Sequence, residues 1–250
     1  MPLWSTWLRE RPYDLIVVAF IITLLISAIS RTIKEKTNKS LLWANWLMIF
    51  VLVLSLQPTY NAIDPLLGGH NIVNLAQRIA TGLAGVAVTK SLAQMCMAYL
   101  QETKKPLCTH WIWNLVIIAG SVIAFIAMGA NHQSSRGLDY YSHQSLTYTS
   151  YQLFTFLGLI MGIPYLVPRL TLIFKRTTTT LRKAQAALFI ASYMLSPVAI
   201  IFYALTPLGN YIIPLREIIV YAVPITLTAA LMLAIQKPQI YLPIKKINKP

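Results

Sequence analysis

The stretch Tyr13-Asp-Leu-Ile-Val-Val-Ala-Phe-Ile-Ile-Thr-Leu-Leu-Ile-Ser-Ala-Ile-Ser30, followed at once by Arg31-Thr-Ile-Lys34-Glu-Lys36, decides the fold. A long apolar run that closes on a cluster of cations reads as a transmembrane helix whose basic end faces the cytosol. No small-residue cleavage site follows Ile29, so the segment is read as a retained first span and not as a secretory signal.

The same pattern recurs along the chain. The expected spans are Tyr13–Ser30, Leu41–Gln57, Ile72–Ala98, Trp111–Ala130, Leu146–Val167, Ala184–Leu205 and Ile218–Ile235. They predict an all-α polytopic bundle of seven transmembrane helices that makes residues 1–250 a single domain. Composition agrees: 56% of residues are hydrophobic and only 11% charged, against roughly 25% charged in a soluble domain.

Lysine and arginine sort into alternate gaps. Arg31, Lys34, Lys36, Lys39, Lys104, Lys105, Arg169, Lys175, Arg176, Arg182, Lys183, Lys237, Lys245, Lys246 and Lys249 fall on one side, and only Arg9, Arg11, Arg136 and Arg216 on the other. The positive-inside rule then predicts an external N-terminus and a cytosolic C-terminus in a bacterial plasma membrane. The net charge of +14 is accounted for by this orientation and by attraction to anionic lipid headgroups at the cytosolic segments, without a nucleic-acid partner. Trp4, Trp7, Trp43, Trp46, Trp111 and Trp113 all lie near span ends, where amphipathic rings sit at headgroup depth.

Small residues and prolines mark packing. Gly158 and Gly162 make a Gly-x-x-x-Gly pair in span five, which predicts a close helix approach. Pro197 and Pro224 fall inside spans six and seven, where each ring removes a donor and crowds the preceding turn. Cys96 and Cys108 lie toward the cytosolic side, where a disulfide is disfavoured and their spacing suits no metal clip.

Span three stands apart. It carries Asn74, Gln77, Arg78, Thr81, Thr89, Lys90 and Gln94. At about 100° per residue, Asn74, Arg78 and Thr81 share one stripe, while Lys90 and Gln94 share another about 120° away. Two readings stand. Either this helix lines a polar cavity, with these five residues as ligand-facing candidates, or Arg78 and Lys90 snorkel to opposite headgroup regions. Only Asp64 and Glu217 lie at a depth suited to pairing with Arg78. No carboxylate falls at a span centre, which weakens proton- or sodium-coupled mechanisms that use one.

Other chemistry leaves no signature. His70, His132 and His143 lie in expected external segments without metal-ligand spacing, so no metal or other cofactor is read. Metalloprotease, serine-hydrolase and phosphate-loop motifs are absent, and no catalytic residue is assigned.

The segment Ile63-Asp64-Pro65-Leu66-Leu67-Gly68-Gly69-His70-Asn71-Ile72-Val73-Asn74-Leu75 resembles the loop before the third helix in a family of actinobacterial seven-helix membrane proteins grouped as transporters. Asp64, Leu67, Gly68, Asn71, Asn74 and Leu75 carry the match. The resemblance implies the same span layout but no defined activity. Longer members carry a cytosolic C-terminal domain, which is not expected in the short segment after span seven. Independently of the resemblance, Pro65 and Gly68-Gly69 predict a turn, and Asn71 a cap for span three.

These readings converge on a protein that handles a small solute or lipid-like ligand, as transporter or sensor, with its site near the outer half of span three. The alternative is a non-catalytic membrane subunit serving an unidentified protein partner.

Overall fold

A computed structural model describes residues 12–33, 39–103, 106–129, 145–208 and 212–233. The side chain of Glu217, residues 131–144 of the expected Asn131–Ser145 loop with Arg136, and both chain ends lie outside the described residues. The chain forms α1 (Pro12–Ile33), α2 (Lys39–Ser55), α3 (Gln57–Leu66), α4 (Ile72–Leu100), α5 (Ile112–Ala127), α6 (Ser145–Ile160), α7 (Ile163–Arg176), α8 (Thr180–Leu205) and α9 (Ile212–Leu233). Short 3-10 turns occupy Leu107–Thr109 and Thr206–Leu208. The described residues contain no strand, as the all-α reading requires.

Among the described residues, α4 and α8 are each long and apolar enough to cross a membrane. The pairs α2 with α3 and α6 with α7 qualify only when each bent pair is taken together, and α1, α5 and α9 supply shorter apolar helices.

Both bends correct the sequence reading. The segment after span two was expected to be a loop from Pro58 to His70. Instead the chain turns by 86° at Leu56 and runs on as α3. Leu56 is extended (φ −66°, ψ 129°), and a proline in the first turn of α3 restarts the helix, where its missing N–H costs nothing. The true turn is short: Gly68 (φ +93°) and Gly69 (φ +68°) adopt angles that favour glycine. Span five, expected to end at Val167, breaks at Met161–Gly162 with a 42° bend and continues as α7 to Arg176.

Helices α1, α2, α4, α6, α8 and α9 are successive neighbours, and α9 returns to α1. Helix α5 leans on α4 and α6, and α7 on α8 and α4. The main apolar core draws Val88 and Leu92 of α4, Tyr151 of α6, Leu166 of α7, Tyr193 of α8 and Leu231 of α9 into one cluster.

The α4–α6 contact brings backbone against backbone. A Cβ on Gly158 would stand 2.5 Å from the Gly82 carbonyl oxygen and 2.5 Å from the Val86 nitrogen, both backbone atoms. Thr89 Oγ1 donates to the Gly158 carbonyl at 2.7 Å and meets the Tyr193 hydroxyl at 2.8 Å. The close approach expected of Gly158 and Gly162 is therefore made, with Gly82 and Gly85 on the facing helix.

The outer wall is apolar. Ile22, Ile26 and Ile29 on α1, Leu115 and Ile118 on α5, and Ile218 and Ile225 on α9 are exposed. Apolar stripes at helical spacing that face away from the core are the inverse of a soluble helix and suit contact with lipid tails.

Candidate functional site

The α3–α4 corner builds one wall. Asp64 is fully buried, and its Oδ1 accepts from the Val73 N–H at 3.4 Å. Its carbonyl accepts from Gly69 N–H at 2.8 Å. From α3, the Asp64 carboxylate thus reaches the first turn of α4, where a carboxylate is favoured by the free N–H groups and the helix dipole. Asn71, expected to cap α4, does not: it sits in the left-handed region at φ 58° and makes no side-chain cap. Its Oδ1 instead accepts from the Tyr60 hydroxyl at 2.9 Å and from Asn74 Nδ2 at 3.2 Å. Asn74 Nδ2 also donates to the Tyr60 oxygen at 3.1 Å. Asn74 is therefore bound into a buried clasp between two helices. The residues that carry the family resemblance are largely those of this corner.

One turn further along α4, Arg78 is half-buried in the neighbourhood of Tyr203, Tyr148, Tyr151 and Tyr221. These come from α8, α6, α6 and α9. Of these, Tyr203 has the strongest electrostatic influence on Arg78. Arg216, in the first turns of α9, is only 6% exposed. Its Cζ lies 5.3 Å from the centroid of the same Tyr203 ring, a cation–π geometry. Its Nη1 lies 3.5 Å from Thr206 Oγ1. Tyr148 packs edge-on against Tyr203 with centroids 5.6 Å apart. Helices α4, α6, α8 and α9 thus bring Arg78, Tyr148, Tyr151, Tyr203 and Arg216 into one neighbourhood.

Among the described residues the one ion pair is Arg169–Glu102, at the far end of the bundle. Arg78 and Asp64 are not paired; the carboxylate is turned to the backbone of α4 instead. The hydroxyl of Tyr151 and both amide atoms of Gln152, side by side on α6, are fully buried and have no hydrogen-bond partner. Buried polar atoms of this kind ordinarily carry a partner, and an orphan costs about 1–3 kcal/mol.

The remaining candidates separate from this cluster. Thr81 Oγ1 donates back to the Gln77 carbonyl at 2.8 Å, and Gln77 Nε2 ties α4 to α2 through Ser55 Oγ at 3.0 Å. Lys90 and Gln94 are exposed. They stand about 18 Å or more along the helix from Arg78, by the rise of 1.5 Å per residue, and on another face.

The opposite end of α4 carries a second polar assembly. Arg169 Nη2 lies 2.9 Å from Glu102 Oε1, Arg169 Nε bonds both carboxylate oxygens at 3.0 Å, and Tyr165 Oη donates to Oε2 at 2.8 Å. Arg169 also covers the Tyr165 ring at 3.7 Å. These bonds, Arg169 first, hold the Glu102 carboxyl below the usual carboxylate range. Cys96 and Cys108 are both free and buried, and burial pushes the Cys108 thiol up.

Sequence reasoning missed the tyrosines, Gln152 and Arg216. The available signal was Tyr148, Tyr151, Gln152 and Thr155 at helical spacing on one face of an apolar helix. Arg216 had been counted as an external loop charge.

No protein-family model, no curated protein and no solved structure matches the chain.

Proposed function

We propose that the protein is a seven-span plasma-membrane protein that binds a small anionic solute, as transporter or sensor, between the outer halves of α4, α6, α8 and α9. The observation that carries this reading is the half-buried Arg78 in the neighbourhood of Tyr203 and the orphaned Tyr151 hydroxyl, with Arg216 stacked on Tyr203. A cation withdrawn from water costs several kcal/mol unless an anion or dense hydrogen bonding compensates it. Around Arg78 the neighbouring groups include the phenols of Tyr203, Tyr148 and Tyr151, and the orphan atoms beside them include donors. A carboxylate or phosphate oxygen would accept from the guanidinium and the Tyr151 hydroxyl together. Asn74 and Thr81 then support the wall rather than touch the solute.

The proposed orientation follows the charge split and puts the Asp64 end outside. In that frame the four broken or continuous long spans are joined by α1, α5 and α9 as shorter crossings, and the Trp43, Trp46 and Trp111 rings fall at the inner interface. Cysteines introduced near Asp64 are then expected to react with an impermeant thiol reagent on intact cells, and cysteines near Lys175 not to. Membership of the actinobacterial family remains part of this proposal and rests on the corner residues.

The test of the binding reading is thermal stability of the purified protein with a panel of small carboxylates and phosphates. A ligand that binds only the folded state stabilises it by mass action, about 2.7 kcal/mol at a hundredfold excess over Kd. Stabilisation by at least one anion, lost in Arg78→Gln, is expected. Equal response of wild type and variant to every anion would overturn it.

The subunit reading has one observation in its favour: Lys90 and Gln94 are exposed on the wall of α4, where a polar residue facing lipid is costly. A stoichiometric membrane companion on mild purification, cross-linking through position 94, would support it.

A further inference from the structure

Helix α7 is tied to its neighbours at both ends, and the two ties differ in kind. The upper one lies at the break from α6. There the Gly162 N–H donates to the Leu159 carbonyl, three residues back, at 2.9 Å. Pro164 offers no N–H to the Ile160 carbonyl. The regular ladder is interrupted at the 42° bend, and glycine and proline are the residues at which helices change direction. The Gly158 carbonyl, passed over by Gly162, accepts from the Thr89 hydroxyl instead, and that oxygen meets the Tyr193 hydroxyl. Thr89 and Tyr193 are both fully buried. The lower tie is Arg169 and Tyr165 on Glu102, seven residues or about 10 Å further along α7. Arg169 and Glu102 are 28% and 31% exposed, so water competes for this tie and not for the buried one.

We propose that α7 is a hinged gate, which pivots at Met161–Gly162 and swings off the end of α4 when the Glu102–Arg169–Tyr165 latch releases. This device is separate from the Arg78 cluster and does not depend on the solute reading. Behind the latch, Leu92 and Cys96 of α4, Leu170 and Ile173 of α7 and Phe189 of α8 line a cavity of about 50 Å³. That space admits water-sized molecules and no solute, since ligand pockets run to about 300 Å³ and more. The structure is thus the latched state. Helix α7 packs more extensively on α8 than on α4, and only residues 177–179 separate it from α8. Its contact with α4 is therefore the one that gives. Opening there joins the cavity to water and uncovers Cys96, which is 1% exposed when latched.

The experiment uses the full chain and reads Cys96 directly. With Cys108→Ser in place, a water-soluble maleimide should label Cys96 slowly. Glu102→Gln should speed labelling about tenfold, the loss of one charge-assisted contact. Arg169→Gln should do the same, and both changes together should add little, because they break one latch. A control chain carries Cys96→Ser, Cys108→Ser and Ala28→Cys, the last in the separate core between α1 and α2. Its labelling should not respond to Glu102→Gln. An unchanged rate at Cys96, or equal acceleration at position 28, would overturn the proposal. Spin labels at Gln101 and Lys175, both exposed, should show one distance in the unmodified latch and a second, longer one in Glu102→Gln. A single unchanged distance would also overturn it. If Glu102→Gln does not fold, Tyr165→Phe, which keeps the ion pair and drops one bond, should give a smaller rise at Cys96 alone, and no rise would overturn the gate.

Discussion

Replacing Gly158 by alanine adds one methyl group at the place where α4 and α6 touch. The new Cβ would lie 2.5 Å from the Gly82 oxygen, 2.5 Å from the Val86 nitrogen and 2.8 Å from the Gly85 carbonyl carbon. All three are backbone atoms of a helix and cannot rotate away. Ordinary contact needs about 3.5 Å, so the helices must separate by roughly 1 Å. Overpacking of this kind costs about 1–3 kcal/mol. The separation also stretches the Thr89 bond to the Gly158 carbonyl, now 2.7 Å, past the useful range, for about another 1 kcal/mol. The expected loss is therefore about 2–4 kcal/mol by these two principles. It is measured by reversible unfolding in mixed micelles titrated with a denaturing detergent. Gly85→Ala is the internal control: its Cβ would meet the Gly158 Cα at 3.3 Å, a contact relieved by a few tenths of an ångström, and about 1 kcal/mol or less is expected. Equal stability of Gly158→Ala and wild type, or a larger loss in Gly85→Ala, would refute the crossing geometry.

Three further outcomes are expected. Asp64→Ala should cost about 1 kcal/mol as a lost helix cap and should raise amide exchange at the start of α4, whereas Asp64→Asn, which keeps an acceptor, should cost less. Tyr151→Phe should stabilise the ligand-free protein by about 1 kcal/mol, because it deletes an unsatisfied buried hydroxyl, and should at the same time lessen stabilisation by the bound anion; destabilisation without ligand would show that the hydroxyl has a partner. Glu102 has a folded-state pKa below its ordinary 4.5, so its contacts add stability above that value and lose it as pH falls through the folded-state pKa. Glu102→Gln should therefore flatten the acid limb of a stability–pH curve below about pH 4.5, and an unchanged limb would remove Glu102 from the account.

The long apolar helices were legible because their length and hydrophobicity are local properties. Helix α4 was expected over Ile72–Ala98 and runs Ile72–Leu100. Helix α3 was not legible: its ten residues mix Tyr60, Asn61 and Asp64 with Pro58 and Pro65, which reads as a turn until Tyr60 and Asp64 are seen to be buried. The break at Gly162 was hidden for the opposite reason, since apolar character continues through Leu166 and only the packing of α7 on α8 reveals the change of direction. Asn71 was misread as a cap because its residue type suits one. Its left-handed backbone turns the side chain to Tyr60 and leaves the capping to Asp64, seven residues upstream. At the site, Arg78 was found because a cation inside an apolar run is conspicuous. Its tyrosine partners were not, because tyrosine at a span end is ordinary and nothing local says which helices converge.

Arg78, Tyr151 and Arg216 are proposed to hold an anion at the end of the bundle that carries Asp64. Anomalous diffraction from crystals grown with bromide tests it most directly. The expected result is a bromide peak between the Arg78 guanidinium and the Tyr151 hydroxyl. A carboxylate of the chain itself seated on Arg78, with bromide absent there, would contradict it.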